Sequence, residues 1–92
     1  MNRRYASVWN GIENNAVEAE NMKLRSELMM ALKSHIVRSE MSQAQVAELL
    51  GVTQPRISDL MRGKINVFAL DALVNMATAA GLRVEMRVLA GD

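Results

Sequence analysis

Cysteine is absent from this 92-residue chain, which excludes disulfides, cysteine-based metal sites and thiol nucleophiles. No stretch approaches the roughly 18 consecutive apolar residues of a membrane-spanning helix. Arg3 and Arg4 are not followed by an apolar run, so residues 1–10 do not resemble a signal peptide. Together these absences predict a protein of the reducing cytoplasm.

Half of the residues are apolar, which allows one small domain to bury a core without disulfides or metals. The formal net charge is only +1, but the charges are unevenly placed along the chain. Residues 10–22 contain three glutamates and no basic residue, whereas residues 54–66 contain three basic residues and one aspartate. An acidic edge and a basic edge indicate two different partners. The alternative is that both edges are ordinary solvated helix faces.

Residues 1–14 show no clean periodicity and are expected to form an N-terminal arm. Asn15 and Glu18 have the spacing of a capping box, which predicts that a long helix begins there and ends near Ser39. Apolar residues recur every four positions on one face of this helix, namely at Leu24, Leu28, Leu32 and Ile36. His35, the only histidine, lies beside this stripe, where a half-buried structural role is favoured over catalysis or metal binding.

The centre of the chain predicts two short helices joined by a tight turn. Ser42 and Gln45 repeat the capping-box spacing at the start of the first helix, and Gly51 suits the left-handed residue that ends it. Thr53 is a good N-cap for the second helix, and Pro55 falls in its first turn. This is the helix-turn-helix construction, in which the second helix is held out to meet base edges in the major groove.

The second of these helices, from about Thr53 to Arg62, carries side chains suited to reading DNA. Gln54 can pair with adenine through two hydrogen bonds, and Arg56 can pair with guanine in the same way. Asp59 could accept from cytosine or could simply orient a neighbouring arginine. The expected phosphate contacts are Gln43, Thr53, Ser58, Arg62, Lys64 and Asn66. The last basic residues of this set could instead only complement the helix dipole.

A further helix is predicted before Gly81 by the helical spacing of four apolar residues, Leu70, Leu73, Val74 and Ala77. After Gly81 the period changes to two, which predicts a β-strand over residues 82–89 and leaves residues 90–92 as a tail. No second strand is predicted to pair with it, so the same strand of a second copy is the expected partner. The expected dimerisation residues are Leu82, Val84, Met86 and Val88. A strand from another protein is the alternative.

The central stretch resembles the Xre and phage-repressor type of helix-turn-helix. The residues that carry the resemblance are Ser42-Gln43, Val46-Ala47, Leu50-Gly51-Val52, Thr53-Gln54, Ile57-Ser58 and Arg62-Gly63-Lys64. The resemblance implies a mainly α, four- to five-helix, lambda-repressor-like DNA-binding domain over residues 15–81, followed by the strand. It also implies a phosphate contact at Gln43 and base contacts at Gln54, Pro55, Arg56 and Asp59. Pro55 replaces the usual polar residue and offers only apolar contact, for example to a thymine methyl.

A narrower resemblance, to HigA-like antitoxins of type II toxin–antitoxin modules, covers almost the whole chain. It rests on Ser7-Val8-Trp9, Lys23-Leu24-Arg25-Ser26, Leu70-Asp71-Ala72-Leu73-Val74 and Gly81-Leu82-Arg83-Val84-Glu85. Such proteins are dimeric repressors of their own operon that neutralise a basic RelE- or HigB-type ribonuclease toxin. The expected toxin-binding residues are Trp9, Glu13, Glu18 and Glu20. The alternative is a solitary Xre-family or phage-type regulator with no toxin partner.

No nucleophile–base constellation is visible in the sequence, so the chain is not expected to be an enzyme. No metal-ligand cluster is visible either, and no cofactor is expected. The expected partners are double-stranded operator DNA, a second copy of the chain and, from the narrower resemblance, a basic ribonuclease toxin.

Overall fold

The computed structural model describes the backbone of residues 10–90 and the side chains of residues 15–90. The fold in this part of the chain is mainly helical, as the sequence predicts. The four helices are α1 (Asn10–Ser39), α2 (Gln43–Leu50), α3 (Gln54–Met61) and α4 (Leu70–Ala79), with one turn of 3-10 helix at Ile65–Val67 between α3 and α4. No helix within the described residues is both long and apolar enough to cross a membrane.

One hydrophobic core joins all four helices, because each helix carries its apolar residues on one face. Phe68, from the loop before α4, belongs to this core and is fully buried. The helical residues buried with it are Met29, Leu32 and Ile36 of α1, Val46, Ala47 and Leu50 of α2, Ile57 and Leu60 of α3, and Leu73 and Met76 of α4. The core therefore fixes α2 and α3 against the second half of α1.

The first helix begins earlier than predicted. It already includes residues 10–14, so the predicted start at Asn15 is wrong. Residues 1–9 lie outside the described part, and the division of the chain at residue 14 stays a prediction. Asn15 is inside α1 and is not its N-cap, because a spacing of three also places two residues on one face of a helix interior. Every residue from 15 to 24 is exposed, Leu24 included, so this half of α1 projects beyond the core.

The predicted C-terminal strand is absent from the described residues. Residues 82–90 have no regular secondary structure, because a strand forms only with a hydrogen-bonded neighbour and no segment of residues 10–90 pairs with them. Leu82 packs against the core, whereas Val84, Met86 and Val88 are 40%, 77% and 86% exposed. Together with α1 and α4, the segment lines a groove whose walls are largely apolar but include Glu20 and Glu27 of α1.

Candidate nucleic-acid interface

The helix α2 begins at the predicted capping box. The Ser42 hydroxyl accepts from the Gln45 amide at 3.1 Å, and the Gln45 side-chain oxygen accepts from the Ser42 amide at 2.9 Å. Two backbone N–H groups that would otherwise lack helical partners are thereby satisfied. The box fixes where α2 starts and leaves Gln43, its first residue, exposed.

A glycine-dependent turn connects α2 to α3, as predicted. Gly51 has φ +72° and ψ 31°, which is the left-handed conformation that an L side chain disfavours. Its amide donates to the Glu48 carbonyl at 3.3 Å, and the Val52 amide donates to the Ala47 carbonyl at 3.0 Å. These two bonds are those of a Schellman motif, which turns the chain sharply and sets the direction in which α3 leaves.

The helix α3 occupies the predicted recognition-helix position, with Thr53 and Arg62 as its capping residues. The Thr53 hydroxyl accepts from the Arg56 amide at 3.3 Å, and Pro55 lies in the first turn, where a missing N–H costs nothing. Ile57 and Leu60 are fully buried on the inner face. The N-terminal end of α3 is therefore the part that solvent, or a DNA groove, can reach.

Gln54 and Pro55 are both exposed at this end of α3, together with the cap residue Thr53. Ser58 and Asp59, one turn further along, are only half-exposed. The sequence-predicted base contacts thus separate into two free N-terminal side chains and two residues, Arg56 and Asp59, that already have partners within the protein.

The Arg56 guanidinium is turned onto the protein's own loop. Its Nη1 donates to the Val67 carbonyl at 2.8 Å, and its Cζ lies 4.1 Å from the centroid of the Phe68 ring. The side chain is half-buried as a result. A base contact by Arg56 requires this arrangement to open.

The Asp59 carboxylate binds the two basic residues that follow α3. Its Oδ1 lies 3.4 Å from both the Arg62 Nη2 and the Lys64 Nζ. These side chains are 62% and 49% exposed, so the two ion pairs stabilise the fold little and mainly restrain where the positive charges lie. Both roles that the sequence leaves open for Asp59, base contact and orientation of an arginine, stay predictions.

A residue that sequence reasoning did not single out also holds this region. The Nη1 of Arg25 on α1 donates to the carbonyls of Ile65 and Phe68, at 3.1 and 3.4 Å. The available signal was its spacing, since Arg25 precedes the buried Met29 and Leu32 by four and seven residues and so lies on the inner face of α1.

The other predicted site residues are less closely grouped. Asn66 is exposed in the 3-10 turn, and Glu18 and Glu20 are exposed on the projecting half of α1. Trp9 and the side chain of Glu13 lie outside the described residues. The His35 Nε2 lies 3.0 Å from the Ala80 carbonyl, which can only accept, so the imidazole ties α1 to the end of α4 in a structural role. Residues 15–90 contain no group of three potential metal ligands that could hold an ion.

Comparisons with known proteins agree with this geometry. The sequence profile of a family described as a helix-turn-helix domain matches residues 13–89. A solved structure of a protein assigned to the XRE family of transcriptional regulators superposes with a TM-score of 0.75 at 31% identity, covering 80% of this chain and 83% of that one. A search of curated proteins gave no match. The chain therefore belongs to the helix-turn-helix family, and its fold is of the XRE type.

Proposed function

We propose that this protein is a sequence-specific DNA-binding transcriptional regulator that inserts the N-terminal end of α3 into the major groove. The observation that carries the proposal is the fixed pair α2 and α3, joined by the turn at Gly51, with Gln54 and Pro55 exposed at the leading end of α3. In helix-turn-helix proteins the same end of the second helix contacts base edges.

Base reading is placed chiefly on the two free side chains. The Gln54 amide can donate to N7 and accept from N6 of adenine. With its oxygen and nitrogen exchanged, the amide can suit another base. Pro55 offers an apolar surface that suits a thymine methyl. The base contacts predicted for Arg56 and Asp59 compete with the intramolecular partners described above. We therefore expect these two residues to contribute less to base recognition than Gln54 and Pro55.

Phosphate binding is placed on the residues around α3. Asp59 holds Arg62 and Lys64 close together, and one cation pair at a helix end can bridge to an adjacent phosphate. Gln43 is exposed at the start of α2, where an amide side chain and free backbone N–H groups suit an anion. We expect Thr53, Ser58 and Asn66 to complete this sequence-independent set.

The experiment is selection of binding sites from random duplex DNA, followed by affinity measurements on the selected site and its single-base-pair variants. Gln54→Ala should cost about 1–3 kcal/mol on the selected site and relax the preference at one base pair. Lys64→Ala should weaken all sequences by the same factor and lower the salt slope by about one.

Lys23→Ala is the matched control, since it removes one exposed positive charge from the projecting half of α1. It should leave both affinity and preference unchanged. The proposal fails if the wild-type protein enriches no sequence, or if Gln54→Ala and Lys64→Ala behave like the control.

The functional unit is proposed to be a dimer that uses the segment containing Leu82, Val84, Met86 and Val88. The support is an apolar surface without a cover in the described chain: the last three of these side chains are exposed beside a groove lined by Leu24 and Leu28 of α1 and Leu70 and Val74 of α4. Pairing with the same segment of a second copy would supply the missing ladder, and two α3 helices about 34–36 Å apart would match two half-sites.

Proline scanning tests this dimer by sedimentation velocity. Consecutive residues of a strand point their N–H groups to opposite edges, so either Val84→Pro or Glu85→Pro removes a donor from the paired edge. One of the two variants should shift the protein toward monomer. A protein that is already monomeric, or that stays dimeric in both variants, contradicts pairing through this segment.

A second candidate function is neutralisation of a basic ribonuclease toxin of the RelE or HigB type, in addition to repression of the operon. The observation that favours it is the projecting half of α1, in which every residue from 15 to 24 is exposed and which carries Glu18 and Glu20. Residues 15–24 supply no buried side chain to the core, so this half of α1 is available to a partner, and its acidic side chains suit a basic one.

The test uses the product of the neighbouring gene, if that gene encodes a small basic protein. Deletion of residues 1–20, or the double change Glu18→Lys and Glu20→Lys, should abolish binding of that product and leave DNA affinity intact. Lys23→Glu, on the same exposed stretch, is the control and should not weaken binding. Unchanged binding in the truncated protein would move the interface elsewhere, for example to residues 82–88. The absence of such a neighbour would favour a solitary regulator.

A further inference from the structure

The Arg56 side chain emerges from α3 but is bound to the loop that follows it. Its Nη1 donates to the Val67 carbonyl at 2.8 Å, and its Cζ lies 4.1 Å from the centroid of the Phe68 ring, which is fully buried. A guanidinium that turns from here toward a base loses both a charge-assisted hydrogen bond and a cation–π contact.

The same loop is held by α1 through Arg25, which donates to the Ile65 and Phe68 carbonyls. Three backbone carbonyls between residues 65 and 68 thus accept hydrogen bonds from arginine side chains. Side chains of two helices, α1 and α3, thus hold the short loop of residues 65–68, and both guanidinium groups contribute to this grip on the loop.

Two residues of this loop region are also proposed to contact DNA. Lys64 immediately precedes the 3-10 turn, and Asn66 lies within it. We propose that Arg56 is a positioning residue that does not read a base: it holds this loop against α3 and thereby sets where Lys64 and Asn66 meet the DNA backbone. The inference deepens the proposed function and rests on it only for its DNA measurements.

The test compares Arg56→Ala with wild type in thermal unfolding, amide hydrogen exchange and DNA binding. Loss of the Arg56 contacts with Val67 and Phe68 should lower Tm by about 4–8 °C, as expected for a domain of this size. Amide hydrogen exchange at Val67 and Phe68 should become faster. Affinity should fall by the same factor for the selected site and for each single-base-pair variant, and the salt slope should fall as in Lys64→Ala.

A double-mutant cycle separates positioning from general destabilisation. In a Lys64→Ala background, the factor lost through Arg56→Ala should be smaller, because the charge that Arg56 positions is already gone. Arg56→Lys keeps the positive charge but not the planar group that stacks on Phe68, so it should not restore wild-type exchange. Arg62→Ala removes an exposed arginine whose bond is to Asp59 alone among the described contacts, and should leave exchange at Val67 and Phe68 unchanged.

Three results would overturn the inference. The first is a loss of preference of about 5- to 150-fold at one base pair in Arg56→Ala, which is the signature of a bidentate base contact. The second is an unchanged Tm with unchanged exchange at Val67 and Phe68. The third is full additivity with Lys64→Ala. If the wild-type protein binds no DNA, the proposed function fails, while Tm and exchange still decide whether Arg56 holds the loop.

Discussion

The turn at Gly51 allows a prediction whose size can be worked out from the backbone. Replacing Gly51 with L-alanine places a Cβ on a residue with φ +72°, which costs about 1–2 kcal/mol. Apart from Gly51 and its two chain neighbours, no residue has an atom within 4 Å of that Cβ, so no tertiary clash adds to the cost. The more restricted unfolded chain returns about 0.4–1 kcal/mol. We therefore expect Gly51→Ala to lower the free energy of unfolding by about 1 kcal/mol.

The assay is urea unfolding followed by far-ultraviolet circular dichroism. The midpoint should fall and the m-value should stay the same, because the folded helices are unchanged. The control is replacement of Gly51 by D-alanine in a chemically synthesised chain, since a D residue favours positive φ and should be at least as stable as glycine. Equal stability of the L- and D-alanine proteins would refute the conformational reasoning, because the two differ only in handedness.

Three further substitutions should lower the free energy of unfolding in the same assay. Ser42→Ala removes one half of the capping box and should cost about 1 kcal/mol. If the two bonds of the box act as one unit, adding Gln45→Ala should cause no further loss. Leu60→Ala leaves a cavity in the fully buried face of α3 and should cost about 2–5 kcal/mol; a loss below that of Ser42→Ala would contradict its central position. His35→Leu breaks the bond to the Ala80 carbonyl and should cost about 1 kcal/mol, whereas an unchanged midpoint would mean that solvent satisfies this carbonyl equally well.

The helix-turn-helix could be predicted from the sequence because its signals are local. A serine three residues before a glutamine, a glycine between two apolar faces and a threonine two residues before a proline each specify a backbone conformation over a few residues. All of these capping residues occupy the predicted positions. The start of α1 was missed for a related reason, because the spacing of Asn15 and Glu18 occurs inside helices as well as at their ends.

Features that depend on distant parts of the chain were not predictable in the same way. The alternation from Leu82 to Val88 predicts a strand, but a strand also needs a hydrogen-bonded partner, and whether one exists cannot be read from that segment. The grip of Arg25 and Arg56 on the 65–68 loop depends on backbone carbonyls, which every residue has and no sequence pattern marks. The predicted base contact of Arg56 was inferred from residue type and helix position, and neither of these reveals a competing acceptor within the fold.

The continuity of α1 has a geometric consequence for any partner of its projecting half. The helix runs unbroken from residue 15 into the core. The orientation of Glu18 and Glu20 about the helix axis is therefore set by the number of residues between them and Met29. One alanine inserted after Leu24 would rotate the acidic half by about 100° and advance it by about 1.5 Å, while the core and α3 stayed as they are. Seven inserted residues would return the acidic half to within about 20° of its original orientation about the helix axis. An insertion in α1 would therefore change the direction in which the acidic half points and leave the fold of the DNA-binding domain unchanged.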